Sequence, residues 1–184
     1  MSASASNGAT TWSIDPAHTG VEFAVRHMMI STVKGHFNEV GGTLALAGDD
    51  LAGGRVTVDV GIASVDTREP DRDAHLRSAD FFDAERFPRM TFRSRSVERL
   101  DGENLRVTGD LTIKDVTREL ILEAELQGRG KDPWGNERIG FTARGKLKRS
   151  DFGLTWNQVL ETGGVLVGDD VKIGIEVEFI KQAS

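Results

Sequence analysis

The chain has 184 residues, 38% of them hydrophobic, which suits one domain with a substantial core. Its net charge of −6, with 23 Lys and Arg interspersed among 29 Asp and Glu, argues against a nucleic-acid partner, because phosphate binding needs clustered cations. The lack of cysteine excludes disulfides, thiolate metal sites and cysteine nucleophiles together.

Ser2 to Thr10 is Ser, Ala, Gly, Asn and Thr without apolar periodicity, so residues 1–10 are expected to be a disordered tail and 11–182 a single domain. Neither a basic n-region nor an apolar run of roughly 7–15 residues precedes Trp12, so no secretory signal is read and a cytoplasmic location is expected. No stretch approaches the roughly 20 apolar residues that span a bilayer, so no stable membrane insertion is expected.

From there the chain alternates with period two, the signature of strands with one buried face. Val21, Phe23 and Val25 alternate with Glu22, Ala24 and Arg26, and Val56, Val58, Val60 and Ile62 with Thr57 and Asp59. Met90 and Phe92 alternate with Thr91 and Arg93, and Leu105, Val107, Leu111 and Ile113 share one parity. A strand near Glu119 carries Leu120, Leu122, Ala124 and Leu126, and further strands carry Ile139 to Leu147 and Val171 to Phe179. Turn signals separate the runs at Gly41-Gly42, Gly48 to Asp50, Asp101-Gly102, Gly128 to Gly135 and Gly168 to Asp170. Strands joined by short turns pair antiparallel, and about eight of them avoid exposed edges by closing. The fold class is therefore all-β, an eight-stranded antiparallel up-and-down barrel. Gly35, Gly109 and Gly145 sit inside strands, where the backbone bends or is closely approached.

One segment, Ser64 to Ser94, breaks the series. Pro70 suits a first helical turn, so a short helical insert is expected near residues 70–86, with the helix running to about Ser78. Spacings of three and four put Arg72, His75, Leu76 and Ala79 on one face, a cation and an imidazole beside apolar carbon. That face suits a polar or anionic head with an apolar tail. Phe81, Phe82 and Phe87 follow and would close an opening.

An eight-stranded barrel is either packed solid or holds one small ligand. On the parity of Val21, Phe23 and Val25, the inward residues include Phe37, Val56, Val58, Phe92, Leu111, Phe141 and Ile175. Trp156 stands where Gly153 and Asn157 interrupt the alternation, which places it at the rim. Head-group candidates are Arg26, His27, Arg72, Asp73 and His75, since guanidinium and imidazole recognise phosphate and carboxylate. Asp71 with His75 and Asp73 with Arg77 are also spaced as ordinary helix-surface pairs. His18 and His36 read as structural or solvated, and the Arg93, Arg95, Arg99 run as a solvated strand face.

Four scattered histidines without an HExxH spacing point to no metal site. Ser31 to Lys34 fits SxxK but lacks its KTG and SDN companions and opens a strand. Gly140 to Lys146 is spaced like a Walker A loop, but Leu147 replaces the Ser or Thr and the stretch alternates as a strand.

Three separated blocks, TWSIDPAHTGVEFAVRHMMISTVKGHF, SVDTREPDRDAHLRSADFFDAERFPRMTF and GDLTIKDVTRELIL, with RSDFGLTWN and DVKIGIEVEF after them, resemble the YceI-like family of polyisoprenoid-binding proteins over Trp12 to Phe179. The resemblance implies a lipocalin-like barrel around an apolar tunnel holding a polyisoprenoid or fatty-acyl lipid, with no other cofactor. It implies a non-catalytic carrier or sequestering protein for a polyprenyl phosphate or quinone-type lipid. The wall candidates are then Phe23, Val25, Phe37, Phe92 and Phe141. Arg26, His27, Arg72, His75, Leu76, Phe81, Phe82 and Trp156 are the candidates around the opening. The alternatives are an enzyme on a small lipid, with His75 as base and Asp73 or Asp66 assisting, and a ligand-free stress or interaction protein. An exposed last strand or an apolar mouth is compatible with a homodimer.

Overall fold

Alternation becomes structure in one closed antiparallel sheet, here in a computed structural model that describes residues 8–161 and 163–183. Its strands are β1 (Ala9–Ile14), β2 (Gly20–His27), β3 (Ser31–Phe37), β4 (Val40–Ala47), β5 (Asp50–Gly61), β6 (Val65–Asp66), β7 (Arg89–Asp101), β8 (Asn104–Ile113), β9 (Val116–Lys131), β10 (Glu137–Lys148) and β11 (Val167–Lys181). The single α-helix among the described residues, α1, spans Pro70–Arg77. No helix there is long and apolar enough to cross a membrane.

Eleven strands make eight staves because three staves are broken. Strands β1 and β2 form one, interrupted at Pro16, where Asp15 caps a single 3-10 turn by accepting from the Ala17 N–H at 3.1 Å. They share the same edge of β11, through Ile14 opposite Phe179 and Phe23 opposite Ile173. Strands β3 and β4 form the second stave, pairing with β2 and β1 respectively, and β5 and β6 form the third, pairing with β4 and β3. From β7 to β11 every stave is continuous and pairs with the next, so the barrel closes between β11 and the first stave.

The sequence expectations need small corrections. Ala9 and Thr10, expected in the tail, are already strand, opposite Ala47 and Leu46; residues 1–7 of that tail lie outside the described residues. Strand β9 starts at Val116 and runs through Gly128 and Gly130, so the turn expected from Gly128 shrinks to Asp132 to Asn136. The last strand is not an exposed edge, since it pairs on both sides.

Two strand glycines are close approaches. A side-chain carbon at Gly35 would stand 2.4 Å from the Phe23 ring, and one at Gly109 would stand 2.5 Å from the Arg93 carbonyl and 2.6 Å from the Phe92 ring. Lacking a Cβ, each lets an aromatic ring lie flat on the wall.

Core density differs along the axis. The half containing the β4–β5, β7–β8 and β9–β10 turns is the more filled: Trp12, Leu44, Leu46, Leu51, Ile139 and Phe179 are buried. At that end Asp132 ties the β9–β10 turn, accepting from the Trp134 and Asn136 N–H groups (2.9 Å each), the Asn136 amide (3.1 Å) and Arg138 Nε (2.8 Å). Burial tends to raise the Asp132 pKa, but the hydrogen bonds from Arg138, Asn136 and Trp134 outweigh it and bring the pKa from 3.8 to about 2. Between those values the unfolded chain binds the proton and the folded chain does not. The stabilisation is therefore complete above about pH 4 and is lost as the pH falls towards 2. Urea midpoints of the wild type and Asp132→Asn should differ at pH 7 and converge as the pH drops through that window; a gap independent of pH would contradict this.

Candidate ligand-binding site

At the other end the staves do not meet over a packed core. They enclose a cavity of about 450 Å³, and Val21, Val58, Phe92, Leu122 and Ile175 line both it and a second space of about 100 Å³. The larger chamber falls within the roughly 300–1,000 Å³ typical of small-molecule sites, and an apolar cavity of about 150 Å³ already admits benzene. The barrel is therefore hollow, chiefly in one half.

The predicted wall residues face this space. Phe23, Val25, Phe37 and Phe92 line the larger chamber, with Leu111, Ile173 and Ile175 beside them. Phe141 is the exception among the candidates: it lines the smaller chamber and packs edge-on to Phe179 at 6.1 Å, because β10 carries it towards the packed half.

Helix α1 and the segment after it cover the space between the short β6 and β7. Pro70 is its first residue, Glu69 caps it by accepting from the Asp71 N–H at 3.3 Å, and Ser78 ends it. Asp71 and Asp73 stand in the first turn and His75 and Arg77 in the last, each favourable to the helix dipole. Arg72, His75 and Leu76 all border the cavity as their spacing predicts, but Ala79 is exposed beyond the helix end. Phe82 reaches the wall, edge-on to Phe37 at 5.9 Å, and Phe37 in turn lies 5.6 Å from Phe23. Nearer the opening, His75 meets Phe81 at 5.0 Å and Trp156 at 4.5 Å, both edge to face. Trp156 thus sits at the rim and clasps the helix to the β10–β11 connection.

Asp73 departs from its sequence reading. It does not pair with Arg77 but is buried, accepting from the Thr67 N–H at 2.8 Å and hydroxyl at 2.6 Å. The Thr67 oxygen accepts in turn from Arg72 Nε at 2.7 Å, and the Thr67 carbonyl accepts from the same guanidinium at 2.7 Å. This Asp73–Thr67–Arg72 chain holds the guanidinium at the cavity edge. His75 is bound by Asp80 at 2.9 Å, and Asp66 lies beside His36 at 3.7 Å, so the acid–base arrangements considered with Asp73 or Asp66 are not assembled.

The β10–β11 connection is organised by a residue that sequence reasoning passed over. Arg149 is 6% exposed and donates to four carbonyls, those of Leu154 (2.7 Å), Trp156 (2.8 Å), Gly168 (2.8 Å) and Val167 (3.1 Å). Gly153, left-handed at φ 73°, stops the 3-10 turn that begins at Arg149, and Asn157 bonds both the N–H and the carbonyl of Val167. The available signal was the RSDFGLTWN block, which opens on an arginine where the alternation ends.

Arg26 and His27, at the end of β2, also border the cavity, as do Leu166 and Val167 across from them. The opening is therefore framed by three segments far apart in sequence: the β2–β3 hairpin, α1 and the β10–β11 connection. Among the described residues, Asp15, His18 and Glu178 come close enough to share a cation, but Arg138 already sits among them, 2.7 Å from Asp15 and 3.1 Å from Glu178. That cluster is an internal ion pair.

The YceI-like domain model matches residues 12–179. A UPF0312 protein of Staphylococcus aureus is 39% identical over 173 residues, covering 92% of this chain and 97% of its own. Several solved structures share the fold. BcnA of Burkholderia cenocepacia has a TM-score of 0.78 at 23% identity, covering 90% of this chain and 98% of its own. A domain of Saccharophagus degradans described as polyisoprenoid-binding has a TM-score of 0.69 at 15% identity, covering 93% and 98%.

Proposed function

Since the chain belongs to the YceI-like family, we propose that it is a non-catalytic carrier or sequestering protein that encloses a long-chain polyisoprenoid, such as a polyprenyl phosphate or a quinone-type lipid. The observation that carries this reading is the apolar chamber of about 450 Å³, separated by a shared wall of five side chains from a second apolar space of about 100 Å³. The description of the Saccharophagus domain as polyisoprenoid-binding supports it.

The driving force is removal of hydrocarbon from water. At about 0.8 kcal/mol per carbon group, one isoprene unit contributes roughly 3–4 kcal/mol before ordering costs, so a few units suffice for tight binding. The head then has only to be oriented. Arg72 suits that role, since its contacts with Thr67 use two of its nitrogens and leave the rest of the guanidinium fork open to an anion.

Delipidated protein titrated with a polyprenyl phosphate should bind one chain and change the tryptophan fluorescence, a change that Trp156→Phe should remove. Arg72→Gln should weaken the phosphate by about tenfold, the worth of a charge-assisted hydrogen bond, and leave the uncharged alcohol nearly unaffected. Absence of binding across both prenyl and acyl chains would end this reading.

A further inference from the structure

We propose that the two apolar tips flanking the opening are a docking surface for an anionic lipid bilayer, through which the bore is loaded and emptied; this rests on the lipid-carrier reading above. The tips are Met28 to Ile30, at the apex of the β2–β3 hairpin, and Val159 with Val165, which face each other across a short ribbon in the β10–β11 connection. Large apolar side chains stand out in water here: Ile30 is 76% exposed, Val159 79% and Met29 62%. The tips touch, because the Met28 N–H donates to the Leu166 carbonyl at 2.7 Å and the Met29 sulfur lies where a side chain at residue 164 would stand, space that Gly164 leaves free.

Backbone geometry argues independently that this apex is kept for a reason. Met28 and Met29 are both left-handed, at φ 53° and 61°, a conformation that Asn-Gly, Asp-Gly or Gly-Gly adopts readily and that costs a pair of methionines. Folding alone would favour a polar, glycine-containing turn there. Methionines instead present unbranched, adaptable hydrocarbon.

The patch is continuous with the bore, since Arg26 and His27 precede one tip, Leu166 and Val167 follow the other, and all four border the cavity. A lipid leaving a bilayer beneath the tips would thus pass directly to the chamber without crossing water. Charge agrees: Arg26 to Lys34 holds two permanent cations and no carboxylate, and Asn157 to Leu166 holds Glu161 alone, on a chain of net charge −6. A second copy of the chain fits less well. Two hairpin ends offer a handful of side chains, whereas a stable protein pair buries about 800 Å² and 20–30 residues a side.

The test uses the full chain and vesicles of phosphatidylcholine with phosphatidylglycerol. The wild type should co-float with them and release on added salt, while Met28→Asn, Met29→Gly, Ile30→Ser combined should reduce flotation at least tenfold. That variant removes the backbone strain, so its melting temperature should not fall by more than a few degrees. Binding of water-soluble farnesyl phosphate is measured alongside. Vesicle binding that is absent in the wild type or unchanged in the variant, with farnesyl phosphate still bound, overturns the docking proposal alone. So does a dimer in sedimentation that the variant converts to monomer, because a second copy then covers the patch. Failure to bind farnesyl phosphate together with every longer prenyl and acyl chain removes the carrier reading and this proposal with it.

Discussion

Replacing Arg149 by Met is expected to destabilise the protein by about 3–5 kcal/mol, lowering the melting temperature by roughly 10 °C. The guanidinium is the shared donor for the Leu154, Trp156, Val167 and Gly168 carbonyls, and Met supplies no N–H to any of them; Asn157 still serves the Val167 carbonyl, at 2.8 Å, so the other three lose this donor. Each buried carbonyl left without a donor costs about 1–3 kcal/mol, tempered where water can enter. Burial lowers the Arg149 pKa, with Asp169 partly opposing this, but a guanidinium remains charged at neutral pH. Arg149→Lys should recover only part of the loss, because one ammonium cannot reach carbonyls arranged around a planar fork. Calorimetry of the three proteins measures this. A loss below about 1 kcal/mol for the Met variant would mean that Phe152 and Leu154, both buried, hold the connection without the cation.

Ile173→Trp is expected to reduce polyprenyl phosphate affinity by about 100- to 1,000-fold while changing stability by less than about 1.5 kcal/mol. Ile173 lies on β11 opposite Phe23 and borders the larger chamber. A larger side chain there grows into free space, so the overpacking penalty of a filled core does not apply. The indole would take the place of about one isoprene unit, roughly 3–4 kcal/mol of apolar burial. Equilibrium titration against the wild type, with a denaturation curve for each, separates the two effects. Unchanged affinity would show that the hydrocarbon lies outside the barrel.

Much of this arrangement is legible along the chain because it is local. Period-two parity is a property of one strand, so Phe23, Val25, Phe37 and Phe92 could be assigned to the inner face before any pairing was known, and all four border the cavity. Helical spacing is equally local, which is why Pro70 begins the helix and Arg72, His75 and Leu76 share a face. Trp156 betrayed its place by the broken alternation around it.

Other features depend on partners distant in sequence, which no local pattern encodes. Parity places Phe141 inside but not at which height along the axis; the pairing of Phe141 with Leu126 and Val177 sets that height and moves it to the smaller chamber. Asp73 reads as a surface acid until Thr67 folds over it, and Arg149 reads as one cation among many until four carbonyls gather round it. The breaks that turn eleven strands into eight staves follow from register, since β1 and β2 must share one edge of β11. Whether the bore is hollow is likewise a matter of volume. Inward parity names the side chains that face the axis, but only their positions around the closed ring decide whether they meet or leave about 450 Å³ between them.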